Sequence, residues 1–169
     1  MLILRGLLPG DREQALAAHA ELARENVDFL LDYDVGVDWA GYLALLSRQH
    51  GGIDLPAGRV PADLLAAVQG DDIVGRVSIR YELNDMLALI GGHLGYAVRP
   101  GYRRRGHAGR IMALALPRLA ARGIDSALVT CAADNVASRK AIEGAGGAID
   151  GEVELLPGYV TLRYRVPTA

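Results

Sequence analysis

The sequence lacks three features that would each point to a class of protein: paired cysteines, a long hydrophobic run and an excess of charge of one sign. Its single cysteine, Cys131, can form neither an internal disulfide nor a cysteine-rich zinc site, so nothing suggests secretion. No apolar run approaches the ~18 residues of a membrane span, and the short apolar start is too brief for a signal peptide. The 18 basic and 20 acidic side chains leave a formal charge of -2, which argues against a dedicated nucleic-acid-binding protein.

The composition is that of an ordinary globular protein. Of the 169 residues, 51% are apolar and 22% are charged. No internal repeat, low-complexity tract or long linker divides the chain, so we expect one domain over residues 1–169 that buries its own core. We therefore expect a cytoplasmic protein with no membrane partner, no nucleic-acid partner and no bound metal.

Strand and helix signals are mixed along the chain, which predicts an α+β fold. Short apolar or β-branched runs bounded by turn residues predict strands over 2–8, 64–68, 73–81, 92–98, 126–131, 148–155 and 159–166. Helices are predicted after a cap at Asp11, over 38–46, from Ala108 to a stop at Gly123, and over 138–143. Residues 94–131 thus form a strand–helix–strand unit.

The most informative segment joins the end of a strand to the start of a helix over residues 98–109, which read V-R-P-G-Y-R-R-R-G-H-A-G. The first N–H groups of a helix have no partner within it, and the helix dipole adds partial positive charge. Gly106, Ala108 and Gly109 lack bulk, so an anion can approach those N–H groups, and the arginines at 103–105 add charge. This pattern predicts a phosphate or pyrophosphate site, with a solvated arginine-rich turn as the alternative. The spacing matches neither a P-loop nor a dinucleotide-binding motif.

Three blocks of the sequence resemble the GNAT N-acetyltransferase superfamily. Arg103-x-x-Gly106-x-Ala108 is similar to that family's Gln/Arg-x-x-Gly-x-Gly/Ala signature and lies between a strand and a long helix. The stretch 131–138 resembles the family's Asn-x-x-Ser block, and 73–80 resembles the strand that precedes the cofactor strand. The order of the blocks fits over residues 60–166, and the match is nearest to a poorly characterised bacterial branch.

The resemblance implies a three-layer fold in which a mixed, mostly antiparallel, splayed β-sheet is flanked by helices. Acetyl-CoA would lie in the gap of the sheet, with its pantetheine arm along Tyr96–Val98 and its pyrophosphate on the N–H groups of 104–109. The residues implied in cofactor binding are Val98, Arg103, Arg104, Arg105, Gly106, His107, Ala108, Gly109, Asn135 and Ser138. For Asn135 a helix cap is an equal alternative, and Ser138 is as easily an ordinary serine of an early helical turn.

The implied activity is direct transfer of the acetyl group to a primary amine in a ternary complex. The N–H of Val98 would stabilise the oxyanion. Many relatives have a tyrosine as general acid four residues after the serine, but this chain has Ile142 there. Either another hydroxyl serves, or the thiolate leaves unprotonated, or the protein carries out no reaction. The hydroxyl candidates are Tyr96, Tyr102, Tyr159 and Tyr164. As general base we consider His93 first and Glu82 second, with a structural or solvated role as the alternative for each.

Three questions remain open from the sequence. A non-catalytic acyl-CoA-binding module of the same fold is the alternative function, which Ile142 favours. The acceptor would be the amine of a small molecule or a peptide; four aspartates between the first two helices would attract such a cation or simply form a solvated loop, namely Asp28, Asp32, Asp34 and Asp38. A homodimer formed through the edge strands is a further expectation.

Overall fold

The computed structural model describes all 169 residues as a sheet of seven strands with five helices. The strands are Leu2–Gly6 (β1), Ala62–Gln69 (β2), Asp72–Arg80 (β3), Leu94–Val98 (β4), Ser126–Ala132 (β5), Ala148–Leu156 (β6) and Tyr159–Pro167 (β7). The helices are Arg12–Ala23 (α1), Trp39–Gly51 (α2), Asp85–Leu89 (α3), His107–Ala120 (α4) and Val136–Gly144 (α5). None of these helices combines the length and the hydrophobicity that crossing a membrane requires.

The sheet opens between its two central strands. Its order is β1-β2-β3-β4-β5-β7-β6, and every neighbouring pair is antiparallel except β4 and β5. These two parallel strands pair at one position only, Leu94 with Val129, and then diverge. Just before that point, the N–H of His93 donates to the carbonyl of Leu128 at 2.7 Å. The expectation of a mixed, mostly antiparallel, splayed sheet is confirmed.

Because successive side chains of a strand point to opposite faces, the sheet has a hydrophobic core on each face. On β2, Leu64, Ala66 and Val68 pack under α1 and α2, whereas Leu65 and Ala67 pack on the opposite face, where α4 and α5 lie. The α4 core includes Ile111, Met112, Ala115 and Leu119, all fully buried at helical spacing. Helices on both faces of one sheet give the three layers that the resemblance implied.

The element boundaries differ from the sequence prediction at positions that depend on tertiary contacts. β4 begins at Leu94 rather than Gly92, because Gly92 has a left-handed φ of 60° and a Cβ there would lie 2.2 Å from the carbonyl oxygen of Leu128. Asp11 does not cap α1; its carboxylate pairs with Arg5 and accepts the N–H of Leu8. The short helix α3 was not predicted.

Candidate active site at the open end of the sheet

The loop between β4 and α4 leaves a run of backbone N–H groups without acceptors. Arg104 and Gly106 both have left-handed backbones, with φ of 59° and 76°. The N–H groups from Arg104 through Gly109 donate to no backbone or side-chain acceptor in the protein, whereas the next N–H, that of Arg110, bonds to the carbonyl of Gly106. Alternating left-handed residues before a helix start form a concave set of donors suited to an anion.

This loop forms one end of a cavity of about 790 Å³ that runs into the gap of the sheet. The cavity is lined by the end of α1 and the loop after it, by β4, by the first turns of α4 and by α5. Of the ten residues expected to bind cofactor, nine line it: Val98, Arg103, Arg104, Gly106, His107, Ala108, Gly109, Asn135 and Ser138. The structure therefore brings together residues separated by as many as 40 positions in the sequence.

The side of β4 that faces β5 directs backbone groups toward the same cavity, although the carbonyl of Val98 already accepts a hydrogen bond from Arg103. The N–H of Arg99 bonds to the carbonyl of Val74, and the register pairs Val98 with Gly75. Because alternate residues of an antiparallel strand bond to the same neighbour, the backbone groups of Tyr96 and Val98 point away from β3. They point into the gap, where β5 has already diverged. An extended ligand could pair with this edge as an added strand does.

The three consecutive arginines of the loop have different environments. Arg103 forms a bidentate ion pair with Glu25, with contacts of 2.5 and 3.0 Å, and its Nε donates to the carbonyl of Val98. The guanidinium carbon of Arg105 lies 5.7 Å from the ring centroid of Tyr102, and Arg105 does not line the cavity. Arg104 lines the cavity and makes no ion pair, so its charge remains available to a bound anion.

A hydroxyl pair closes the side of the cavity near α5. The hydroxyl of Tyr96 lies 2.7 Å from Oγ of Ser138, and the Oδ1 of Asn135 accepts the N–H of Ser138 at 3.0 Å. Asn135 is therefore the cap of α5, one of the two roles considered for it. Burial raises the pKa of Tyr96, although the bond to Ser138 opposes the shift. Ile142 is fully buried in the core below α4 and offers nothing to the cavity.

Neither candidate base has the geometry of a base in this cavity. His93 is buried and lines none of the cavity, and its Nδ1 accepts the N–H of Leu128 at 2.9 Å. With Nδ1 occupied as an acceptor, the neutral ring carries its proton on Nε2 and has no free lone pair for a substrate proton. Burial also lowers the pKa of His93. Glu82 is exposed beyond the end of β3 and does not line the cavity. Neither residue thus contacts the cavity in this structure, and their roles as base stay predictions.

Two other ionisable groups at or beside the cavity are largely buried. His107 is only 4% exposed, and its Nδ1 has no hydrogen-bond partner. Burial lowers the pKa of this histidine, with nearby arginines adding to the shift. The thiol of Cys131 is buried and burial raises its pKa, as is typical of an unreactive cysteine.

The acidic residues between α1 and α2 mostly support the loop itself. Asp34 accepts the N–H of Gly36, and Asp38 caps α2 by accepting the N–H of Gly41. Asp32 pairs with Arg59. The carboxylate of Asp28 has no hydrogen-bond partner, and of the four aspartates only Asp32 has its charge balanced by a cation.

Sequence reasoning missed the contribution of the first helix to this cavity. Leu22, Glu25 and Val27 line it, and Glu25 positions Arg103. A second bidentate pair, Glu21 with Arg99, fastens α1 to the end of β4. Two acidic residues four apart, one in the last turns of α1 and one just after it, and two arginines four apart after a strand end were the available signal. The signal is weak, because such residues are common on solvated surfaces.

A family model described as the acetyltransferase (GNAT) family matches residues 39–146. The chain belongs to the GNAT acetyltransferase family. No curated protein matches the chain. Among solved structures, RimJ of Mycobacterium smegmatis in complex with CoA-disulfide has a TM-score of 0.71 at 15% identity, covering 98% of this chain and 81% of RimJ.

Two solved structures from Salmonella typhimurium share the fold. An acetyltransferase that modifies the N-terminal serine of ribosomal protein L7/L12 has a TM-score of 0.70 at 16% identity, covering 98% of this chain and 94% of its own. The yncA protein, solved with its cofactor acetyl-CoA, has a TM-score of 0.65 at 13% identity, covering 99% of this chain and 94% of its own. At these identities the GNAT fold is what the likeness establishes.

Proposed function

We propose that this GNAT protein transfers the acetyl group of acetyl-CoA to a primary amine of a small molecule or peptide, by direct transfer in a ternary complex. The observation that carries the proposal is the run of six N–H groups without acceptors, from Arg104 through Gly109, at the mouth of a cavity that continues into the gap of the sheet. The presence of acetyl-CoA in yncA and of CoA-disulfide in RimJ supports the choice of ligand.

The donors at the start of α4 hold the pyrophosphate of acetyl-CoA. Six N–H groups and the helix dipole favour a doubly charged group, and Arg104 adds a full positive charge beside it. Gly106 and Gly109 keep the approach open, because a Cβ at either position would meet nothing within 4 Å. The positive charge of Arg103 is already balanced by Glu25, so its main role is to hold the loop against α1.

The exposed edge of β4 then directs the rest of the cofactor. From the α4 end of the gap, an extended pantetheine arm pairs with the backbone of Val98 and Tyr96 and places the thioester near Tyr96, where β4 and β5 converge. The N–H of Val98 lies on this edge and is the expected donor to the developing oxyanion. The side chain of Tyr96 extends toward α5, and its hydroxyl borders the same region.

Tyr96 and Ser138 supply the hydroxyl that Ile142 does not. A neutral amine attacks the thioester carbon, the C–N bond forms, the C–S bond breaks, and the proton lost by nitrogen ends on sulfur. Because the pKa of Tyr96 is raised above its usual value and a thiol titrates near ~8.5, Tyr96 stabilises the leaving thiolate by donating a hydrogen bond rather than by losing its proton. Ser138 keeps that hydroxyl in place.

Gly106→Val tests the pyrophosphate assignment, with Gly123→Val as a matched control. Both glycines have a φ of 76°, and a Cβ at either meets nothing within 4 Å, so the backbone strain of the two variants is equal. Only Gly106 lies at the cavity, since Gly123 follows the other end of α4. We expect calorimetry to show CoA binding lost in Gly106→Val and kept in Gly123→Val. Equal affinity in the two variants would refute the assignment.

The alternative, an acyl-CoA-binding module without turnover, differs in one measurable outcome. We expect labelled acetyl-CoA incubated with a panel of amines to yield acetamides at rates well above the reaction without protein. Tight CoA binding with no transfer to any amine would instead establish the binding module.

A further inference from the structure

Two arginines on the α1–α2 face of the sheet, the buried Arg76 and the partly buried Arg80, have no carboxylate partner. Arg76 and Arg80 alternate along β3 with Val77 and Ile79, which pack into the opposite core. None of the protein's ion pairs includes either arginine. A buried guanidinium without a counter-charge is costly, which makes the pair unusual for a structural role alone.

Backbone carbonyls accept only some of the hydrogen bonds that these two side chains can donate. Arg76 donates to the carbonyls of Gly95 and Asp28, and its Nε has no partner. Arg80 uses Nη1 for the carbonyls of Gly91 and Gly92, while its Nη2 and Nε donate to no protein acceptor. Burial lowers the pKa of both, that of Arg76 to about 10, although both remain charged at neutral pH. The remaining donors and the uncompensated charge suit an anion.

Arg80 opens onto a second cavity of about 180 Å³, separate from the one that holds the cofactor. Asp32 and Arg59 line it but pair with each other, and the carboxylate of Asp63 is taken by the hydroxyl of Tyr81 and the ring of His50. Ser78 also lines the cavity, and its hydroxyl makes no hydrogen bond within the protein. Arg80 is therefore the one lining cation without an ion pair. Apolar side chains complete the wall: Leu31, Val60, Leu64, Met86 and Leu87.

The guanidinium groups lie next to the strand that carries the reaction. A Cβ built at Gly95 would be 3.7 Å from both Nη atoms of Arg80 and 3.9 Å from Nη1 of Arg76. Gly95 directly precedes Tyr96 on β4. An anionic group that rests on Arg80 would thus lie next to the residue that precedes Tyr96.

Resting on the proposed acetyl transfer, we propose that the cavity at Arg80 and Ser78 is a carboxylate subsite, so that the acceptor is an amino acid. The carboxylate accepts hydrogen bonds from Arg80 and Ser78, the apolar wall receives the side chain, and the amine faces the thioester near Tyr96. Amines without a carboxylate leave the charge of Arg80 uncompensated and are poor acceptors.

Paired acceptors test this inference directly. Each of the common L-amino acids is compared with its carboxamide, which keeps the amine and the side chain but loses the negative charge, and release of CoA from acetyl-CoA is measured. Since hydrogen bonds to charged groups are among the stronger ones, we expect at least one free acid to exceed its amide by about 10- to 100-fold in kcat/KM. Amides that are acetylated as well as their acids overturn the inference and leave the proposed function standing.

Arg80→Gln should remove the preference by raising KM for the free acid by about 10-fold or more, while the amide keeps its rate. Arg118→Gln is the matched control: Arg118 is an exposed arginine on the opposite face, and it also donates to a carbonyl, that of Leu4. We expect it to retain the preference. If Arg80→Gln does not fold, as judged by its thermal transition, Ser78→Ala serves instead and should raise KM for the acid alone. An equal loss for acid and amide in the folded variant overturns the subsite.

The experiments distinguish a failure of the subsite from a failure of the proposed function. Acetylation without a carboxylate preference contradicts only the subsite. Binding of acetyl-CoA with no acetylation of either series, or no binding of acetyl-CoA, contradicts the proposed function, and the subsite falls with it.

Discussion

The hydroxyl of Tyr96, on β4, lies 2.7 Å from the hydroxyl of Ser138, in the first turn of α5. The bond joins the strand before the gap to the helix after it, across the wall of the large cavity. Ser138 is itself held by the Asn135 cap. The Asn-x-x-Ser block therefore orients a tyrosine that lies far from it in sequence, and under the proposed function this tyrosine offers the thioester the hydroxyl that Ile142 lacks.

Tyr96→Phe should lower kcat for acetyl transfer by about 10- to 100-fold, because it deletes one positioned donor to the leaving thiolate. The affinity for CoA should stay the same, since the backbone edge of β4 is unchanged. Tyr159→Phe is the control, because Tyr159 is 74% exposed on the β6–β7 hairpin. Stopped-assay rates and calorimetry separate the two effects, and an unaltered kcat in Tyr96→Phe would exclude this role.

Arg104→Ala should weaken CoA binding by about 10-fold, whereas Arg105→Ala should change it by less than about 2-fold. Arg104 lines the cavity without an ion pair, but Arg105 packs over the ring of Tyr102 outside it. The two variants have the same net charge and differ by one position in the loop. Titration calorimetry at two salt concentrations would measure the difference, and equal losses would show that the arginines act only through the general field of the loop.

Most of the fold was accessible from the sequence because its signals are local. Turn residues bound the strands, and Gly106 and Gly123 lie at the two ends of α4. The local signals fail where a tertiary contact decides the conformation. Gly92 was predicted to lie in a strand, yet it adopts a left-handed backbone conformation where the carbonyl of Leu128 approaches it closely. Asp11 was predicted to cap α1, yet its carboxylate instead accepts a hydrogen bond from Arg5 on β1.

The candidate site was predictable to the extent that it consists of backbone. The backbone N–H donors of residues 104–109 could be predicted, because the glycine spacing and the start of a helix are both recognisable in the sequence. Side-chain roles were less accessible, because they depend on what each group meets across the fold. Arg103 meets Glu25, and His93 meets the N–H of Leu128. Neither partner is adjacent in sequence, and the uncompensated charge of Arg80 emerges only once the sheet is assembled.

His93→Ala should cost about 1–3 kcal/mol of stability, because it leaves the N–H of Leu128 without its acceptor where β4 and β5 converge. His93→Asn should recover part of the loss, since its carbonyl oxygen can replace Nδ1. In both variants the pH profile of kcat should keep its shape, as His93 holds no substrate proton. Urea unfolding and a pH–rate series would test the two statements, and a profile flattened between pH ~6 and ~8 would restore His93 as the base.

Stability of the wild type should fall as the pH drops from about 7 to about 5. Burial lowers the pKa values of His93 and His107 in the folded state. Below the unfolded value of ~6.5, the unfolded chain therefore binds protons that the native state does not, and each histidine costs at most about 1.4 kcal/mol per pH unit. The carboxylates of Asp11 and Glu21, whose pKa values are lowered by Arg5 and Arg99, add to the loss only below about pH 4.5. His93→Asn should have a shallower slope between pH 6.5 and 5 than the wild type in thermal unfolding, and an identical slope would mean that His93 takes up protons equally in the folded and unfolded states.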